Sequence, residues 1–364
     1  MSIVGVVLFP FLDTREASSL RLVCRELKQA VADFPWEDMG TVIRGSIALW
    51  RACFPRARGA NVGERVGDGE GLNPNGRLTD VVDGDFVHFV GLRALNMSCC
   101  WQVTDAAFVH LRGIESLNMH WCNQTSITDA AFVHLRGIQE LDMSFCSQAT
   151  ITDAAFAHLV GIQRLSIWYC DQATITDAAF VHLKGIKMLN MGYCTQLTDA
   201  AFEHLKGIHT LFMLVCSQAT ITDAAFEHLK GIHSLDMHCC RQVTITGAGF
   251  EHLKGISRLG MHGCRDEAIA AAESLGFPVE RRAYTHYGAF DASFVKEEER
   301  EAPPLEPLSL WATWADAFTA APATSRLAFF FALSAALAAL VMPHILCFIR
   351  WLPIKSCWSS STIK

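Results

Sequence analysis

Charge is scarce in this 364-residue chain, and positive charge is the scarcer sign. Asp, Glu, Lys and Arg make up 18% of residues, and 30 Lys and Arg stand against 37 Asp and Glu, a net charge of −7. That balance argues against a general nucleic-acid binder, which would carry a basic domain or stripe. The opening residues do not read as a basic-then-apolar secretory signal. Met1 to Val7 is apolar, but no basic residue precedes it and Pro10 and Asp13 end the run. The 14 cysteines therefore read as thiols of a reducing, cytosol-facing chain, buried rather than paired. No phosphate loop is present: Gly67-Asp68-Gly69-Glu70-Gly71 lacks the spacing, the preceding strand and the Lys-Ser/Thr that one needs. Nor does a nucleophile–base pair or a paired acid stand out, so neither a catalytic residue nor a cofactor is implied. Apolar residues are abundant. At 51% hydrophobic the chain is too apolar to be largely disordered, and its length leaves room for about two domains.

The architecture is decided by repetition. The unit ITDAAFVHLRGIQELDMSFCSQAT, Ile127 to Thr150, recurs with small edits. Its Phe falls at Phe86, Phe108, Phe132, Phe156, Phe180, Phe202, Phe226 and Phe250, at gaps of 22 or 24 residues. Eight units run from Val82 to Cys264, half the chain, which is the signature of a solenoid. Within a unit, Leu141-Asp142-Met143 alternates as a short strand does. Thr128-Asp129 offers capping side chains to a helix of about two turns, with Phe132 and Leu135 on one face. Gly137 ends it, since glycine accepts the left-handed exit. Strands stack at ~4.8 Å, whereas helices need ~8–10 Å between axes. The strand side is thus expected to be the inside of a curve: an α/β horseshoe with a concave parallel sheet and a convex helical rim. Asp266 to Leu275, closed by Gly276, reads as a terminal cap within 265–280.

The pattern L-x-x-L-x-M-x-x-C followed by I-T-D-x-x-F-x-x-L resembles the cysteine-containing leucine-rich repeat, across all eight units. Met or Ile stands for the usual third Leu, and the loop after the helix is short. Thr246-Gly247-Ala248-Gly249 weakens the last helix.

Two further columns recur eightfold. The cysteines are Cys100, Cys122, Cys146, Cys170, Cys194, Cys216, Cys240 and Cys264; the histidines are His88, His110, His134, His158, His182, His204, His228 and His252. A zinc site wants four convergent ligands, usually from two close pairs. Here Cys and the next His are about a dozen residues apart, and a metal array is not expected. The cysteines read as buried thiols bonded to backbone carbonyls, and the histidines as rim residues touching the same residue one unit along.

Between near-identical units, the strand residues facing out of the concave sheet differ. The middle units carry Trp121, Phe145, Trp168, Tyr169, Tyr193, Phe212 and Leu214, rimmed by polar groups that include Asp142 and Asp236. Central aromatics with a polar rim have the composition of a protein-binding hot spot. The alternative is that the rings merely stack and stiffen the coil.

Residues 1–38 form a separate helical segment. Asp13-Thr14-Arg15-Glu16 has capping-box spacing, and Leu20, Val23, Leu27 and Val31 make one apolar helical stripe. With Leu12-Asp13, Val23-Cys24-Arg25 and Phe34-Pro35-Trp36, the stretch resembles the F-box. That resemblance implies docking of a Skp-type adaptor, and through it a cullin, by Leu8, Leu12, Leu20, Val23 and Leu27. Residues 39–81 read as a connector, with an irregular leading turn around Trp50 to Arg56.

Beyond the cap, residues 281–324 hold a charged, proline-containing linker. Leu327 to Ile349 is then free of formal charge for 23 residues, within a candidate spanning helix at 325–349 and ahead of a tail at 350–364. The charge flanks conflict with a cytosolic F-box. Arg350, Lys355 and Lys364 follow the run while Arg326 alone closely precedes it, which would hold the tail on the cytosolic side. The combined expectation is the target-recognition subunit of a cullin-type ubiquitin ligase, anchored to a membrane. The rival is a membrane-tethered repeat scaffold with no ubiquitin role.

Overall fold

The computed structural model describes residues 9–63 and 80–281. Ten strands form a single sheet in strictly consecutive order, every pair parallel. They are β1 (Gly59–Asn61), β2 (Ala94–Asn96), β3 (Ser116–Asn118), β4 (Glu140–Asp142), β5 (Arg164–Ser166), β6 (Met188–Asn190), β7 (Thr210–Phe212), β8 (Ser234–Asp236), β9 (Arg258–Gly260) and β10 (Val279–Glu280). Register repeats without slippage, Leu117 opposite Leu141 opposite Leu165 opposite Leu189. A parallel pair cannot be closed by a tight hairpin, so each crossover carries a helix. These crossovers are shorter than two α-turns. Asp129–Phe132 is a single α-turn that tightens into a 3-10 stretch, Val133–Leu135, and in other units the whole segment is 3-10, as in Asp177–Leu183.

Inside, equivalent residues stack. The eight repeat Phe side chains are fully buried, as are the Leu and Met or Ile that flank each outward strand residue. Thr104, Thr128, Thr152, Thr176, Thr198 and Thr222 cap their helices, each hydroxyl accepting from the N–H two residues on. The following Asp works one unit further along: Asp105, Asp129, Asp153, Asp177 and Asp199 each accept both the N–H and the hydroxyl of the next unit's Thr. The cysteine column behaves as read. Seven thiols, from Cys122 to Cys264, donate to the carbonyl of a Met or Ile in the preceding unit at 2.9–3.3 Å. Burial pushes these thiols up, to about 12 at Cys216 and Cys264. The histidine column differs from expectation. His134 and His158 accept from Arg112 and Arg136 of the preceding unit, not from one another.

At the N-terminal end, α1 (Thr14–Leu20) opens with the full capping box between Asp13 and Glu16. The stripe from Leu20 to Val31 does not form one helix. Turns intervene, and Cys24 starts α2 (Arg25–Asp33) as its cap, Sγ accepting the Leu27 N–H. The connector is partly solenoid: α3 (Ile47–Cys53) packs there and β1 opens the sheet. Trp36 joins the two parts. Its indole N–H donates to the Val31 carbonyl, its own carbonyl accepts from Arg58 and Gly59, and its ring packs with Phe9, Phe34 and Phe54. A Cβ on Gly59 would sit 2.8 Å from the Glu37 carbonyl carbon, so that passage requires glycine. At the other end Gly247 takes a left-handed turn, and a Cβ there would meet the Ala271 side chain of the terminal helix, Asp266–Ser274. The weak last unit is what lets the cap close.

Candidate protein-binding surface

The outward strand columns form the wall, and the residues preceding each ladder cysteine form its lip. At the lip, Cys99, Trp121, Phe145, Tyr169, Tyr193, Val215 and Cys239 all have φ between 57° and 61°, and Gly263 completes the column at 72°. Each is the third residue of a turn closed by the cysteine N–H, as Cys122 N–H donates to the Met119 carbonyl. A positive φ there ordinarily demands Gly or Asn. For L-residues it costs roughly 1–2 kcal/mol. The strain is offset by bonds along the coil: the lip N–H donates to the next unit's carbonyl, Phe145 to Trp168 and Tyr169 to Gly192.

That backbone throws the rings out of the core and into a file. Trp121 stacks on Phe145 at 4.5 Å, Phe145 on Tyr169 at 4.9 Å, and Tyr193 lies 5.0 Å from Tyr169. Their faces are spent on one another, leaving edges and the tyrosine hydroxyls for a partner. Tyr169, 40% exposed, is the most open of them. The rings therefore both stack along the coil and reach solvent.

The wall is more closed than the lip. Trp168 is 9% exposed, set edge-on against Phe145, and its ring occupies the space that a Cβ on Gly192 would fill. Leu214 is buried and Phe212 half-buried. Asp142 is buried and accepts from the Ser144 hydroxyl, which also bonds Ser166. Burial lowers the His120 pKa, against the opposing pull of Asp142. Asp236 is buried against His238, whose ring takes the room that a Cβ on Gly260 would need. The two acids thus brace the wall more than they rim it.

On the N-terminal segment, Leu12 and Leu20 pack against the core, Leu27 is half-buried and Val23 is exposed. Leu8 lies outside the described residues. Phe11 and Leu22, absent from the sequence-derived set, are exposed, as Val23 is. The signal for Leu22 was the break between α1 and α2, which puts Leu22 and Val23 on a turn. No helix among the described residues is long and apolar enough to cross a membrane, and the run at 327–349 lies outside them. Among the described residues no group of three or more His, Cys, Asp and Glu is placed to hold a metal ion.

This is a leucine-rich-repeat solenoid. No protein-family model matches the chain. No curated protein matches it. Solved structures do, at low identity. A chain of the Drosophila Toll–Spatzle complex matches at 13% identity and TM-score 0.40, over 54% of this chain and 33% of that one. A chain of the TLR13–ssRNA13 complex matches at 13% and 0.40, over 69% and 33%. A chain of the yeast Rad7–Elc1 complex matches at 17% and 0.33, over 50% and 45%. The protein thus spans from a third to under half of the length of these chains.

Proposed function

We propose that the solenoid is a protein-binding module that holds its target along the ring-lined lip and the wall beside it. In this reading the N-terminal segment joins it, through a Skp-type adaptor, to a cullin-type ubiquitin ligase. The observation that carries the binding role is the file of strained aromatics. Four consecutive units keep a large ring at a position that favours glycine, and they keep it half in solvent. The partner residues are Trp121, Phe145, Tyr169, Tyr193 and Phe212, with Trp168, Leu214, Asp142 and Asp236 shaping the wall behind them. In this reading the adaptor surface includes the exposed apolar groups Phe11, Leu22 and Val23. The chain faces the cytosol, and 325–349 tethers it to a membrane.

Purified Skp-type adaptor mixed with full-length protein tests the ligase reading. Binding that is lost in Leu22→Asp/Val23→Asp supports it. Absence of binding leaves the membrane-tethered scaffold with no ubiquitin role. Fractionation of the full chain against one ending at Ser325 tests the tether.

A further inference from the structure

The convex face changes character half-way along. At one helix position the first five units carry Val87, Val109, Val133, Ala157 and Val181, and the last three carry Glu203, Glu227 and Glu251. The four valines are 41–52% exposed. Ala106, Ala130, Ala154 and Ala178 lie exposed beside them, so the apolar groups form a continuous row rather than isolated residues. Three residues after this position most units carry a cation: Arg112, Arg136 and Lys184 in the apolar half, Lys206, Lys230 and Lys254 in the acidic half. Arg112, Arg136, Lys184, Lys230 and Lys254 stand at the helix exits, where the backbone has turned extended. A glutamate stands three residues ahead of each lysine of the later units, and Glu227 and Glu251 lie against His228 and His252, whereas Arg112, Arg136 and Lys184 are preceded by valine. Among the described residues no carboxylate pairs with those three. Arg112 and Arg136 reach only the imidazoles of His134 and His158.

We infer that this half of the convex face, Val87 to Lys184, docks an acidic amphipathic helix of a partner protein. The occupant supplies carboxylates toward Arg112, Arg136 and Lys184, together with apolar groups over the valines. Five units at ~8–10 Å between helices make a row of roughly 30–40 Å. A helix of about 20–27 residues matches that length. An anionic lipid surface fits less well. The row holds only small β-branched and alanine side chains, without the Trp, Phe or Leu that anchor an interfacial face. The site is built from the helical crossovers, not from the lip residues, and does not depend on what the lip binds.

The same chain provides the controls. Glu203, Glu227 and Glu251 show that the fold accepts glutamate at this position. Full-length Val133→Glu/Val181→Glu is therefore expected to keep its circular dichroism spectrum and melting profile. The probe is a labelled model helix with Leu on one face and Glu on the other, read by fluorescence anisotropy. A charge-reversed helix with Lys for Glu is run beside it. The wild-type chain should bind the acidic helix and not the basic one. Val133→Glu/Val181→Glu should weaken binding by about tenfold or more, and Glu203→Val/Glu227→Val should tighten it. Equal binding of both helices, or binding indifferent to these substitutions, overturns the proposal. So does capture by phosphatidylserine vesicles that the same substitutions abolish while the helix fails to bind, which would reassign the face to lipid. Self-association that vanishes in the glutamate variant, again without helix binding, would reassign it to a second copy.

Discussion

Trp168 and Gly192 occupy one volume between them. A Cβ added at Gly192 would stand 2.7 Å from the indole Cδ1 of Trp168. Gly192→Ala is expected to cost about 1–3 kcal/mol by overpacking. Trp168→Ala should cost more alone, but the double variant should be more stable than the two single losses imply. A double-mutant cycle in urea reads that coupling. The lip offers a second contrast. Phe145→Gly removes strain but also two stacked partners, each worth about 0.5–1.5 kcal/mol beyond area burial, and should destabilise. Val215 bears the same backbone with a β-branched side chain and no ring to stack. Val215→Gly should therefore lie within about 1 kcal/mol of the parent. The thiols give a pH signature. Unfolded cysteine ionises near pH 8.5, while the folded chain holds Cys216 and Cys264 to about 12. Between those values the unfolded state releases protons that the folded state keeps. Stability is then full below about pH 8.5 and falls as pH rises toward 12. Urea midpoints should drop above pH 9, by less in a Cys216→Ser variant once its own lower starting point is subtracted.

At the scale of elements, each Asp in the helix-capping pair belongs energetically to the next unit. Asp129→Ala should leave its own helix capped by Thr128 yet strip Thr152 of its charged acceptor, a loss of roughly 1–3 kcal/mol. Hydrogen exchange at the Thr152 amide should report the damage one rung away from the substitution. Here the limits of reading from sequence become physical. Strand, cap, glycine exit and stacked cores follow from patterns inside one unit, and those were legible. Bonds between units are invisible to such patterns, because every copy looks alike whether Asp129 reaches Thr128 or Thr152. The left-handed lip had one overt signal, Gly263 standing in the column where four other units have rings, and aromatic composition masked it. Val23 was misplaced and Leu22 overlooked because a run of apolar residues at helical spacing does not show that Cys24 restarts the helix.

For the whole molecule, hydrogen-bonded neighbours along the sheet are always neighbours in sequence, from β1 to β10. Stability of such a stack is a sum over units and the contacts between adjacent ones. Loss of the Trp36 cluster or of the terminal helix should fray the nearest rungs first, seen as local exchange ahead of global melting. A middle substitution such as Phe156→Ala, costing about 3–5 kcal/mol, should instead divide the array. The same bookkeeping of rungs separates the two faces. The stacked lip depends on continuity across Trp121 to Tyr193, whereas the convex row is set one helix at a time.

Consecutive pairing also makes length a quantised property of this protein. Excision of Ile151 to Thr174 would join Thr150 to Ile175 in the same reading of the motif. Strand β4 would meet β6 with Leu141 opposite Leu189, and the backbone donors of the ladder would find the acceptors they need. A chain so shortened should fold as a nine-stranded version of itself with Phe145 brought beside Tyr193. Gain or loss of single cassettes is thus a route by which such a coil can be refitted to partners of different size without rebuilding either end.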